Sequence, residues 1–338
     1  MVDRPKWKDS GNRIIGAIGA LAWLAVVMGM TRTALGASPP TGELDAVVVT
    51  VNDTSIRERD VQRVVRRVPG VGELSEEARR RLERSVAEAL VEQELARQYL
   101  RTSRWGATEA EVEPRRRKIE QNLRARGISL EAHLRSIERD EASWRRELHW
   151  KLAWQRYREQ FVTDDNLRKQ FERHRRDYDG TRRRVAQIWW PLAGRSGTER
   201  KRVLQEAAEV RRQLIAGKLS FEEAAKKYSR APSGKRGGEV GWIERHAPMP
   251  EPFSKAAFAM EVGAVSPLVV TPRGVHLIRC LEEQPGRRTW EDVRAELRRD
   301  VERFLRGWLA DQARKTARIE WHGRYAAGAS SDSTSRIM

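Results

Sequence analysis

Hydrophobic positions change their period along the chain, and each change marks a different kind of element. The β-branched run Val47–Val51, followed by Asn52-Asp53, predicts a strand ending in a turn. From there to about residue 179 the spacing is helical. Ser75 is placed to cap a helix over 75–100 with Leu82, Val86, Leu90 and Leu95 near one stripe, and Thr108 with Glu111 forms a capping box for the next. Pro114 lies inside that second helix and predicts a kink or a displaced start. Further helices are predicted over 129–137, 140–161 and 163–178. Past Asp179-Gly180 the pattern alternates, giving a strand over 183–190, and then returns to a helix over 198–216 with Gly217 as its stop. After a stretch of short elements, the break Gln284-Pro285-Gly286 leads to a long helix over 290–315 and a short strand over 317–321. The tail over 326–338 is small and polar, a composition that predicts disorder.

Length and composition bound what such a chain can be. At 338 residues and 39% hydrophobic it can bury the cores of two domains. Its net charge of +18 raises nucleic acid as a partner, yet the arginines are interleaved with glutamates along helical segments, the signature of solvated faces; no nucleic-acid partner is expected. Cys280 is the sole cysteine, so no intramolecular disulfide can form and stability has to come from packing. The spacing of the six histidines offers no metal-binding pattern. The glycine-rich stretch GKRGGEVG lacks the Lys-Ser/Thr pair of a phosphate loop and opens no long helix.

The N-terminus reads as an export signal. Arg4, Lys6, Lys8 and Arg13 precede an uncharged run that opens at Ile14 and closes at Met30. As a helix this run would be about 26 Å long, slightly short of a bilayer core and longer than most cleaved signals. Residues 1–37 are therefore expected to act as an inner-membrane anchor, or as a signal cleaved near Ala34 and Gly36. The flanking charges leave everything after about residue 31 outside the cytoplasm, in a periplasmic or equivalent compartment.

The segments FEEAAKKYS, GKRGGEVGW, MPEPFSKAAFAM and GAVSPLVVTPRGVHLI follow one another between Phe221 and Ile278. In order and content they resemble the parvulin family of peptidyl-prolyl isomerases. The resemblance implies a compact domain over 181–284 built around a small antiparallel sheet, and X-Pro bonds as substrate. By the same resemblance Met249 and Phe253, matching a Met-x-x-x-Phe pattern, form the apolar walls of a proline pocket together with Val240, Trp242 and Phe258. His276 matches the histidine of the family's last strand, and Thr271 a threonine that hydrogen-bonds it. Strand alternation separately puts His276, Ile278 and Cys280 on one face and Val275, Leu277 and Arg279 on the other. On spacing alone, Met249 and Phe253 read equally well as core, and a lone His276 beside Ile and Cys reads more readily as a satisfied core histidine. Two positions depart from the family: Gln187 stands where a second histidine is usual, and Ala231 where an Asp or Cys is usual. No cofactor is implied.

The return to helix after residue 285 resembles the SurA and PrsA class of extracytoplasmic foldases, as does the opening VVVTVNDTSIRERDV. That implies an α+β chain: a mainly helical chaperone module over 38–180, completed by residues 285–325, with the parvulin-like domain inserted. It also implies that Val47–Val51 pairs with a strand over 318–321. The expected function is an isomerase and chaperone acting on unfolded, newly exported polypeptides. The alternative, favoured by Gln187 and Ala231, is a holdase whose parvulin domain only binds proline segments. Trp144, His149, Trp150, Trp154 and Tyr157 read either as core or, if exposed together, as a surface for unfolded clients.

Overall fold

The structure is a computed structural model that describes residues 44–192 and 196–326. The predicted N-terminal anchor and the C-terminal tail beyond Ala326 lie outside these residues. Among the described residues no helix is long and apolar enough to cross a membrane. The chain divides into two compact units, residues up to Thr163 together with Asp300 onward, and Asp164 to Arg299.

The first unit opens with β1 (Val47–Val51), whose partner β2 (Thr54–Arg57) closes a hairpin that helical spacing downstream had hidden. Helix α1 (Glu58–Val65) follows, then α2 (Glu76–Thr102), which starts where Ser75 accepts a hydrogen bond from the Ala78 N–H at 3.3 Å. Helix α3 (Glu109–Arg124) keeps its predicted start, because the Glu111 carboxylate accepts from the Thr108 N–H at 2.8 Å; Pro114 does not displace it. Helices α4 (Leu130–Ser136) and α5 (Glu141–Phe161) complete the first run. Trp144, Trp150 and Tyr157 of α5 are buried, so the aromatic run is mainly core and forms no continuous exposed surface. His149 is held between the Ala107 carbonyl and Glu109, each at 2.9 Å.

In the second unit the single helix predicted over 163–178 is two, α6 (Asp164–Arg173) and α7 (Arg175–Tyr178), because His174 leaves helical geometry at φ −126°. Strand β3 (Arg182–Pro191) then enters the centre of a four-stranded antiparallel sheet. Helices α8 (Gly197–Ile215) and α9 (Phe221–Tyr228) follow, then β4 (Glu239–Glu244), α10 (Glu251–Ala259), β5 (Val269–Thr271) and β6 (Gly274–Gln284). The sheet order is β4-β3-β6-β5. One face carries Ala186, Ile188, Trp190, Val275 and Leu277 against α8 and α9, a wholly apolar layer. Each such fully buried aliphatic side chain contributes roughly 1.5–3 kcal/mol. The other face packs Val185, Ile278 and Cys280 against α10.

The chain's last long helix, α11 (Arg294–Arg314), begins four residues later than the pattern predicted, because Thr289 and Asp292 bond to each other and hold an irregular turn ahead of it. Strand β7 (Ile319–Trp321) pairs antiparallel with β1, Val49 opposite Trp321 and Val51 opposite Ile319, as expected. Leu305 and Leu309 of α11 are fully buried. The observed architecture is α+β, with predominantly helical content and two small antiparallel sheets.

Candidate functional site

Neighbouring central strands bring the predicted polar residues together. In the β3–β6 register Trp189 faces His276, Gln187 faces Ile278 and Val185 faces Cys280, so odd positions of β3 and even positions of β6 share the face toward α10. Strand β5 adds Thr271 at the edge, opposite Gly274.

Two glycines shape the far side of this face. Gly238 has φ +85°, and a Cβ there would sit 2.4 Å from the Gln187 carbonyl oxygen; only glycine allows β4 to start so close to β3. Gly241 has φ +101° and sits at a bulge, where the pairing of β3 with β4 slips between Val185 and Ala186. The bulge turns both Val240 and Ile243 toward α10. Trp242, predicted to line the pocket, pairs with Arg184 on the opposite face, and the Arg182 guanidinium lies 5.7 Å from its ring centre. The structure therefore does not bring Trp242 to the site.

The remaining predicted residues do converge. Phe253 and Phe258 from α10 join Val185, Ile278 and Cys280 in one cluster, with Val240 and Met249 half-buried against it. The Phe253 ring meets the His276 imidazole edge-on, centroids 5.5 Å apart and planes at 87°. His276 is 4% exposed. Its Nδ1 lies 2.9 Å from Gln187 Oε1 and its Nε2 lies 2.9 Å from Thr271 Oγ1. An amide oxygen only accepts, so Nδ1 carries the hydrogen and Nε2 accepts from the Thr271 hydroxyl, which in turn accepts from the Arg273 N–H at 3.2 Å. The same chain can run in reverse: a turned Gln187 amide donates to Nδ1, Nε2–H donates to Thr271, and the hydroxyl donates to the Gly274 carbonyl at 3.3 Å. Either direction leaves the imidazole neutral. Burial, with a smaller push from the Arg273 charge, depresses its pKa to about 4.

Ala231 is half-buried just before the 3₁₀ turn Pro232–Arg236 and brings no polar atom to the site. The adjacent Ser229 hydroxyl accepts from the Trp189 N–H at 3.1 Å and the Ala231 N–H at 3.2 Å. Burial pushes the Cys280 thiol above its ordinary pKa, which disfavours the thiolate. Two residues of this face were not foreseen. Trp189 is half-buried with its ring 6.5 Å from that of His276, a placement that the cross-strand partner of His276 makes readable once the register is known. Arg183 is fully buried, donates to the Ala257 carbonyl at 2.6 Å and to the Met260 carbonyl, and pairs with Glu283. It closes the C-terminal end of α10.

A separate hollow of about 140 Å³ lies beside Arg245, His246 and Arg288 in the same unit, but its buried Arg245 is committed to Glu251 through two bonds of 2.7 and 2.6 Å. Among the described residues there is no group of three or more His, Cys, Asp or Glu able to hold a metal. The site offers apolar walls, one neutral imidazole and a hydrogen-bond chain, with no nucleophile and no charged acid or base at its floor.

Residues 188–282 match the Rotamase family model, the PPIC-type PPIase domain. The chain is similar to the foldase protein PrsA of Bacillus subtilis (strain 168), 36% identical over 119 residues, which are 35% of this chain and 39% of that protein. It is similar to peptidyl-prolyl cis-trans isomerase Pin1 of Arabidopsis thaliana, 35% identical over 104 residues, 30% of this chain and 85% of that protein. A third relative is the chaperone SurA of Dechloromonas aromatica (strain RCB), 40% identical over 117 residues, 33% of this chain and 25% of that protein. The matches thus span less than half the length of the foldase and the chaperone, and most of the smaller isomerase.

Proposed function

The chain belongs to the PPIC-type peptidyl-prolyl cis-trans isomerases, and we propose that residues 164–299 catalyse rotation about X-Pro bonds in unfolded polypeptides outside the cytoplasm. Rotation about a peptide bond faces ~18–20 kcal/mol because the amide is held planar by resonance. No bond breaks, so the catalyst needs neither nucleophile nor metal. At the top of the barrier the amide loses resonance and polarity, and an apolar pocket favours that state over the planar, more polar ground state.

The geometry supports the following roles. Met249, Phe253 and Val240 grip the proline ring, with Phe258 supporting Phe253 from the same helix. His276, neutral at working pH, offers no charge that would hold the planar amide; Gln187 and Thr271 fix its ring plane and tautomer. The observation that carries this reading is the edge-on contact of Phe253 with an imidazole bonded on both nitrogens.

The other unit, with residues 44–163 and 300–326 described, is proposed to bind the client chain as a helical chaperone module, with the isomerase inserted in sequence. The similarity to proteins named as foldase and chaperone supports this, and the basic N-terminus followed by the apolar run from Ile14 to Met30 supports a place outside the cytoplasm, anchored by that run. The test is the proline-limited refolding phase of a reporter protein with the full chain added in mild detergent. That phase should accelerate in proportion to added protein, and Phe253→Ala should abolish the acceleration. An unchanged rate with suppressed aggregation would leave a chaperone alone.

A further inference from the structure

The positive charge of the first unit is concentrated on one helix end. The unit's described residues carry 31 Lys and Arg against 25 Asp and Glu, and residues 115–126 alone hold six of those cations with a single carboxylate, Glu120. The rest is close to neutral; on α2, six arginines meet six glutamates. Helix α3 packs Val112 and Ile119 against Trp144 and Leu148, which leaves Arg117, Lys118, Gln121 and Arg124 exposed on the opposite side at helical spacing. Arg115 and Arg126, also exposed, flank them. Glu113 and Glu120 each meet two cations of this group, so the group as a whole stays positive. Beyond the helix, Gly127 at φ +70° lets the Ile128 N–H donate to the Leu123 carbonyl at 3.0 Å. That turn holds Ile128 at the tip, 38% exposed, as one of two exposed large apolar side chains described in this unit.

We propose that this end of α3 docks on an anionic phospholipid bilayer, with its cations on headgroup phosphates and Ile128 dipping into the interface. A guanidinium fork matches a phosphodiester, and a cluster of basic side chains sums attractions that are weak singly. The apolar tip adds a contact that a free anion in solution could not reward. The choice of partner rests on the anchor proposed above. Only 13 residues separate Met30 from Leu44, a tether of at most about 45 Å, so a chain anchored by the run that ends at Met30 keeps this unit beside the bilayer. Tethering makes the second contact intramolecular, and a weak patch then suffices. The charge acts only within about a Debye length of the surface, roughly 8 Å at physiological salt, so docking fixes which side of the unit faces the lipid.

The experiment places the full chain in nanodiscs of phosphatidylcholine, with or without phosphatidylglycerol. A fluorophore on Gln121→Cys reports proximity through quenching by a spin-labelled headgroup; the native Cys280 is buried and stays unlabelled. Quenching should be about threefold stronger with phosphatidylglycerol than without, and should fall to the lower level at about 0.5 M salt. Arg117→Gln with Lys118→Gln and Arg124→Gln should remove the difference, while the same three changed to Lys should keep most of it. Ile128→Glu should weaken the anionic signal and Ile128→Leu should retain it. Equal quenching in the two lipids, or a difference that survives the triple Gln variant, overturns the proposal while the anchor stands. If the chain leaves zwitterionic nanodiscs on size-exclusion chromatography, the anchor reading falls. Cosedimentation with phosphatidylglycerol against phosphatidylcholine vesicles then decides the patch with the same variants. If calorimetry shows the three cations binding an acidic unfolded polypeptide, with no response to phosphatidylglycerol, the patch serves clients and the proposal falls.

Discussion

The two faces of the four-stranded sheet are built from the same strands, yet only the one toward α10 interleaves its apolar cluster with buried polar side chains. Toward α8 and α9 the layer is Ala186, Ile188, Trp190, Val275 and Leu277, with no charged side chain in the cluster. Toward α10 the layer interleaves Val185, Ile278 and Cys280 with Arg183, Gln187 and His276. Burying a polar group costs free energy unless its bonds are remade, so the second face is the more expensive to build and the more specific. The first face holds the sheet together. The second positions one helix and one imidazole.

The polar face itself divides into a closed end and an open end, the latter proposed to meet the substrate. Arg183 sits at the closed end, 0% exposed, with its guanidinium on two carbonyls and Glu283. Arg183→Met should therefore have the largest effect. It strands the Ala257 and Met260 carbonyls and leaves Glu283 only Arg176, at 3.3 Å, as partner. A loss of about 3–5 kcal/mol is expected by urea denaturation, with Arg183→Met/Glu283→Leu recovering part of it. A change below 1 kcal/mol would mean that the closed end is not held by this cation. Because α10 also carries Phe253, isomerase activity should fall at temperatures where the variant is still folded.

His276 marks the open end, and its effect is read through pH. In the folded chain its pKa is about 4, while on unfolding the imidazole returns to an ordinary value near 6.5. Between those values the unfolded chain binds more protons, so stability rises with pH across the window and is fully recovered above about 6.5. The contribution is on the order of 3 kcal/mol. His276→Leu should remove that part of the pH slope, leaving the part due to carboxylates. The isomerase rate of the native protein should be flat from pH 6 to 8 because the site's imidazole does not titrate there. A rate that follows a group near 6.5 would contradict the buried neutral ring.

The contrast also explains what could be read from residues alone. Alternation along β6 placed His276, Ile278 and Cys280 together, because a strand without a bulge in that stretch keeps its period. Met249, Phe253 and Thr271 were legible only through the family resemblance; their spacing fits a core equally well. Trp242 was placed in the pocket by the resemblance, and the structure sets it on the other face because the bulge at Gly241, where φ is +101°, breaks the two-residue alternation between Val240 and Trp242. Arg183 was invisible for a different reason. In Arg182-Arg183-Arg184 nothing local distinguishes the buried member, whose partners Ala257, Met260 and Glu283 lie 74 to 100 residues away. Trp189 needed the β3–β6 register, which is likewise a long-range fact. Periodicity reports which face a residue takes; it does not report what waits on that face.

Gln187 carries the smallest expected effect and the sharpest comparison between the two ends. It is half-buried, so water can partly replace a lost bond, and Gln187→Leu should cost only about 1 kcal/mol of stability while leaving the His276 Nδ1–H without its acceptor. Activity should fall further than stability, since the ring loses the partner that fixes its plane and both directions of the hydrogen-bond chain are closed. Gln187→His restores a donor and an acceptor at the same place, and should keep stability within about 1 kcal/mol of the parent while sustaining the chain through Thr271. Parallel urea titrations and refolding assays on the two variants separate the outcomes. If Leu and His at 187 are equally active, the imidazole is held by Thr271 and Phe253 alone, and the polar end of this face is structural after all.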